Sequence, residues 1–238
     1  MSLLVPWGRH PGRYTGTVTF GEPGPLADGS TCPAFDGYSG AVYVPWMVSL
    51  SAFTVECWAY QTSTSSGNPR ALSNGHPDIT QNGLELVING NFGSGTKAYS
   101  CAIGNGTAHT TILTDTILDL NTWYYCAMTY DSTTSLTLWL NAAALASVTP
   151  IGTITAKRGI GIAYDPSYDG DFFPGRLAWV AIYPTALSQA RQQARIAAAS
   201  QSQRGAYRAV VLQDRPLAVW PLTDPSGPWA HDAVLWAA

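Results

Sequence analysis

Between residues 118 and 148 the chain alternates most clearly. Residues 123–130 (WYYCAMTY) are aromatic and β-prone throughout, and after a polar break Leu136, Leu138 and Leu140 alternate with Thr137, Trp139 and Asn141. A period of two marks a strand buried on one face. Asp131 to Ser135 supplies the turn, so this stretch predicts two long antiparallel strands, with a third over 145–148. The same reading predicts strands at 14–20, 41–44, 53–60, 70–73, 83–89, 97–103, 110–115, 160–163 and 176–183. Their spacers are rich in Asn, Gly and Ser, and the roughly ten-residue rhythm is that of an antiparallel sandwich or jelly roll. In the strand at 53–60, Phe53, Val55, Cys57 and Ala59 share one face and Glu56, Trp58 and Tyr60 the other. Aromatic residues on both faces suit a strand inside a two-sheet sandwich or the floor of a groove. The one good helix is 188–200 (SQARQQARIAAAS), with Ser188 as N-cap.

Several of these stretches resemble one family. A Trp opening a strand, an Ala four residues on, a Tyr-Asp turn and then Leu-x-Leu-x-Leu-Asn resemble the central hairpin of laminin G-like domains of the concanavalin A-like jelly-roll superfamily. Asp28-Gly29 with Phe35-Asp36-Gly37 resembles the family's opening, FTVECW (53–58) its first core strand, and GRLAWVAIYPTALS (175–188) its closing strand and helix entry. The resemblance covers roughly residues 14 to 200. It implies an all-β, two-sheet antiparallel jelly roll, placed here in residues 1–204. A second resemblance lies beyond. Asp214, Pro216, Trp220, Leu222, Asp224 and Gly227 resemble the start of another such module, with too few residues after Asp232 to complete one. Residues 205–238 are therefore expected to form a C-terminal arm that completes the sandwich in cis or is donated in trans, with Pro216, Trp220 and Leu222 at the interface.

Composition narrows the function. The chain has 238 residues, of which 11% are charged, against about a quarter in an average domain. Net charge is −3, which argues against nucleic acid as a partner. No run of apolar residues is long enough for a membrane span. No basic segment followed by an apolar core opens the chain, so a secretory signal is not expected. The four cysteines include no Cys-x-x-Cys pair; Cys57 and Cys126 lie in apolar strands, which favours buried thiols over disulfides.

Candidate chemistry is sparse. Glu occurs only at positions 22, 56 and 85, without the closely spaced pair that glycosidases of this superfamily carry on one strand. The four histidines are scattered, and no triad is evident. Asp165, Asp169 and Asp171 fall in one Gly-containing loop, a donor set suited to a hard cation such as Ca2+; relatives with this fold often bind calcium at the sandwich rim. Ala178, however, stands where the family usually has an acidic residue. For saccharides, Trp58, Tyr60, Trp139, Tyr164 and Tyr168 offer aromatic faces and Asn141 an amide, although any of them can equally serve the core.

The expectation is thus a non-catalytic protein, read first as a structural or decoration component of a phage virion. Its partners would be other virion proteins or further copies of itself, with surface glycans as additional ligands. The alternative is a calcium-dependent carbohydrate-binding adhesion module. Either would act on a virion surface or outside the cell.

Overall fold

The computed structural model describes residues 9–65, 67–91 and 97–234. In chain order it contains β1 (Gly12–Thr15), β2 (Val18–Pro23), β3 (Thr31–Asp36), β4 (Ala41–Val44), β5 (Ala52–Gln61), β6 (Arg70–Ser73), a single helical turn α1 (Pro77–Thr80), β7 (Asn82–Asn91), β8 (Lys97–Asn105), β9 (His109–Leu113), β10 (Tyr124–Asp131), β11 (Ser135–Leu140), β12 (Ala143–Val148), β13 (Ile160–Ile162) and β14 (Pro174–Tyr183). Two helices follow, α2 (Gln189–Ala199) and α3 (Ala206–Gln213), and then β15 (Ala218–Trp220) and β16 (Trp229–Ala230). Among the described residues no helix is long and apolar enough to cross a membrane.

The strands form two antiparallel sheets, as the alternation predicts. One runs β16-β1-β4-β13-β6-β7-β8-β9 and the other β12-β11-β10-β5-β14-β3-β2, with β15 added beside β14. The central hairpin has the expected register, Asp131 opposite Ser135 and Cys126 opposite Leu140. At its far end Asn141 and Ala142 both have positive φ, the two-residue turn that matches the twist of paired strands. Inward-facing residues of both sheets, among them Phe53, Val55, Leu84, Leu138, Ile162 and Ile182, make one apolar core. All four cysteines are buried free thiols.

Where the structure departs from the expected elements, the causes are local. The single strand at 14–20 breaks in two at Gly16, whose φ is +63° and where a Cβ would meet Ser39 O at 2.0 Å. One helix was expected near the end of the chain, and the structure adds a second, α3, directly before Asp214. The helix at 188–200 forms as expected, with the Ser188 Oγ accepting the Arg191 N–H.

The second sheet carries a further layer on its outside. Trp58, Tyr125, Ala127, Ala181 and Tyr183 pack there against Ala198, Tyr207 and Val211 of α2 and α3. This layer encloses two charged groups. Glu56 is fully buried beneath α2, where Arg195 Nε lies 2.8 Å from it and Tyr125 and Tyr183 donate their hydroxyls at 2.6 and 2.7 Å. Arg195 is likewise fully buried and also reaches Asp214 at 2.7 Å.

Residues 205–234 lie against their own chain. Val219 pairs with Ala181 on β14, and Ala230 pairs with Gly12 on β1, so this segment adds a strand to each sheet. Trp220 and Leu222 sit in the core and Pro216 is buried. Asp232 accepts four backbone N–H groups, from Arg9, His10, Val219 and Val234, at 2.9–3.1 Å. A buried carboxylate is stable only with such partners, and here it ties the first described residues to the last.

Candidate functional site

The 163–173 segment lies over the outer face of the first sheet, above β13 and β6. That segment leaves β13 at Ala163 and returns at Phe173, closed by Phe173 N–H to Ala163 O (2.8 Å) and by a bridge between Asp165 and Gly170. It lies flat because β13 carries glycine on its outer side. A Cβ on Gly161 would meet the Tyr164 ring at 2.8 Å, and one on Gly159 would meet the Tyr43 hydroxyl at 2.7 Å. Two small residues thus leave room for two tyrosines on the sheet surface.

Between the segment and the β3–β4 corner runs an open groove of about 720 Å³. Tyr38 and Tyr43 form one wall and Tyr164 and Phe172 the other, with Arg158 and Asp169 among the polar groups at its sides. Tyr164 and Phe172 stack at 5.7 Å with their planes 15° apart. Tyr38 is 85% exposed. Its turn is nonetheless fixed, because Asp36 Oδ1 accepts the N–H groups of Tyr38, Ser39 and Gly40 at 2.7–2.9 Å. Burial opposes ionisation of Asp36, but these N–H groups and the Ser39 hydroxyl more than offset it and hold the carboxyl at about 2.

Two smaller clefts adjoin this groove. One, of about 290 Å³, shares Tyr38 and Phe172 and adds Asp36, Ser63 and Asp171. The other, of about 360 Å³, shares Arg158 and adds Asn74, Asn82, Lys157 and Ser167. Together they make a continuous trough of mixed polar and apolar lining, with aromatic rings at its centre.

Beneath the segment lies its anchor. Arg70, at the start of β6, is buried and reaches Glu85 at 2.9 Å, Asp171 at 3.2 Å and Asp165 at 3.8 Å. His76 Nδ1 lies 3.1 Å from Asp165. Burial pushes Glu85 up to about 7 against the pull of Arg70 and His76. The bond to Asp165 raises His76 despite partial burial. For Asp165 burial acts upward, but His76, the Ser167 N–H and Arg70 outweigh it and lower its pKa. Among the described residues, His76, Glu85 and Asp165 are the one group with metal-donor spacing. The Arg70 guanidinium, however, stands among these carboxylates where a cation would sit, so the set does not suit calcium.

The sequence candidates fall in different places. Asp165 and Asp171 come together, but on Arg70; Asp169 is exposed at the groove. Tyr164 lines the groove, while Tyr168 stands over His76 with its ring 5.5 Å away. The other four lie on the second sheet. Trp58 is buried and donates its Nε1–H to the Tyr207 hydroxyl at 2.8 Å. Tyr60 packs on Trp123 and under the Arg176 guanidinium. Trp139 donates to Thr129 Oγ1, and Asn141 holds the hairpin turn by accepting the Tyr125 N–H at 3.0 Å. The structure does not join these four to Tyr164 and Tyr168. Sequence reasoning missed Tyr38, Tyr43, Arg158 and Phe172. A signal for one of them existed: Tyr43 is the outward residue of Ala41-Val42-Tyr43-Val44, and the glycines of Gly159-Ile160-Gly161-Ile162 leave bare space for a ring beside it.

No curated protein matches the chain by sequence. Solved structures resemble its fold. Domain 4 of AbnA, a GH43 extracellular arabinanase from Geobacillus stearothermophilus solved with arabinotriose, superposes with a TM-score of 0.56 at 18% identity, covering 75% of this chain and 80% of that one. The binding domain of botulinum neurotoxin serotype G superposes at 0.59 and 12% identity, covering 78% of this chain and 45% of that one. The enzymatically active domain of tailspike protein 2 from bacteriophage CBA120 superposes at 0.56 and 12% identity, covering 82% and 31%. This chain therefore spans less than half of the toxin and tailspike chains. The family model described as concanavalin A-like lectin/glucanases superfamily matches residues 36–191, more than half of the sequence and most of the sandwich. By sequence and by fold the chain belongs to the concanavalin A-like lectin/glucanases superfamily.

Proposed function

We propose that this chain is a non-catalytic carbohydrate-binding module that holds a saccharide in the groove between Tyr43 and Tyr164. The observation that carries this reading is the groove itself: aromatic rings on both walls, beside a carboxylate and a guanidinium, on a rigid sheet surface. Sugar rings present C–H faces that pack on aromatics and hydroxyls that need donors and acceptors, and this lining supplies both. The arabinotriose-bound domain of similar fold supports the ligand class, and the arabinanase and the toxin, named as extracellular and as a binding domain, support a location outside the cell.

Hydrolysis is not part of the proposal. Glu56 and Glu85 lie on the outer faces of different sheets, each buried against an arginine. Glu22 is paired with Arg176 at 2.7 Å. Asp36 and Asp171 share a cleft, but Asp36 is held too low to keep the proton a general acid must donate, and Asp171 is tied to Arg70.

A role on a virion surface is a second reading, favoured by the fold shared with a bacteriophage tailspike domain. The test is an array of immobilised oligosaccharides probed with the full chain, with reducing ends assayed in parallel. Retention of a defined set without release of reducing ends supports the proposal; release of reducing ends overturns its non-catalytic part.

A further inference from the structure

The third cleft, around Asn74 and Lys157, differs in chemistry from the rest of the trough. No acidic residue lines it; it presents Lys157 and Arg158 with two asparagines, Thr80 and Ser167. Both cations are exposed, and among the described residues neither forms an ion pair with a carboxylate. The nearby Glu85 and Asp165 are turned on Arg70 and His76 instead.

Asn74 adds an independent observation. It is 1% exposed, and its Oδ1 accepts the Leu84 N–H at 2.8 Å, which fixes the amide's orientation. Its Nδ2 is then a buried donor with no hydrogen-bond partner in this structure. Buried donors are almost always paired, so one left over beside a cleft marks a place for an acceptor. Asn82, by contrast, is satisfied on both atoms, by Thr80 O and by Thr155 Oγ1.

We infer that this cleft is an anion subsite, and that the saccharide taken by the groove carries a carboxylate or sulfate at that end. The inference rests on the proposed glycan-binding role and deepens it. Continuity is given by Arg158, which lines both spaces, and by Pro166 and Ser167, which lie on either side of the divide. Direction is given by charge. Asp36 and Asp171 border the opposite cleft and Asp169 the central groove, whereas the cleft beside Lys157 and Arg158 has no carboxylate in its lining, so an acidic substituent is favoured at that end. The chain's net charge of −3 offers polyanions no general attraction, so the preference arises locally.

The test uses the full chain and an array whose members come in pairs that differ only in charge: oligouronates against their methyl esters, and sulfated oligosaccharides against their desulfated forms. We expect at least tenfold tighter binding to the acidic member of one pair type, weakening as salt is raised. Which pair type shows it separates carboxylate from sulfate. Lys157→Glu removes the preference while the neutral member binds as before. Lys157→Gln, which keeps the side chain's length at an exposed position and removes its charge, weakens the preference without adding an anion. Equal binding of acidic and neutral members, or a preference untouched by both substitutions, overturns the inference and leaves the groove reading standing. Absence of binding to every member overturns both.

Discussion

Buried charge explains most of what single residues do here. Glu56 has a guanidinium and two tyrosine hydroxyls around it and no access to water. Removing one partner of such a set strands the others, at a cost of about 3–5 kcal/mol. Glu56→Ala is therefore expected to lower stability by that amount in urea denaturation; a loss below about 1 kcal/mol would show that the network holds nothing together. The Arg70 anchor gives a pH dependence. Glu85 titrates at about 7 in the fold against an ordinary value of 4.5, so its folded form binds more protons across that interval. Its contribution is complete below the ordinary value and lost as pH rises through about 7. The raised pKa of His76 acts in the same direction, while that of Asp165, lowered, contributes above its ordinary value and is lost on acidification. The melting temperature should therefore fall from about pH 5 to about pH 8, and Glu85→Gln should flatten that fall; an unchanged slope would remove Glu85 from the account. None of this was legible in the sequence. Glu56 and Arg195 are 139 residues apart, and a buried glutamate on an alternating strand looks the same as an exposed one until the helix above it is placed.

Secondary structure was legible because alternation is local, and it failed where tertiary contact overrode it. The central hairpin, the 53–60 strand and the Ser188 cap follow from side-chain period and capping chemistry alone. The break at Gly16 and the bulge at Trp179, whose φ of +54° shifts the outward face of β14, are set by neighbouring chain that no local pattern reveals. The segment after α3 belongs to the same class. Trp220 is fully buried in the core and donates its indole N–H to His10 O at 2.7 Å, so Trp220→Ala should cost about 3–5 kcal/mol in chemical denaturation. Ending the chain at Arg204 removes α3, β15, β16 and the Asp232 tie together. Such a chain should lose its cooperative thermal transition by circular dichroism; a truncated form that melts as the full chain does would show that the sandwich closes without residues 205–238.

For the whole molecule, the two sheets have different tasks. The outside of the second sheet is filled by helices and supports the fold, whereas the outside of the first carries the trough. Aromatic content alone pointed to both, which is why Trp58, Tyr60 and Trp139 were grouped with Tyr164 and Tyr168. Tyr38 escaped notice because a tyrosine in a Gly- and Ser-rich turn shows no period. The central claim is that the groove between Tyr43 and Tyr164 binds saccharide without calcium. Calorimetry on the best oligosaccharide from the array, with the full chain, Tyr38→Ala and Tyr43→Ala, in calcium and in EDTA, tests it most directly. Both rings are partly exposed, so neither substitution should unfold the protein. The account predicts at least tenfold weaker binding for each variant, about 1.4 kcal/mol, with the wild-type affinity the same in EDTA. Full affinity in both tyrosine variants, or binding that vanishes with EDTA, would contradict it.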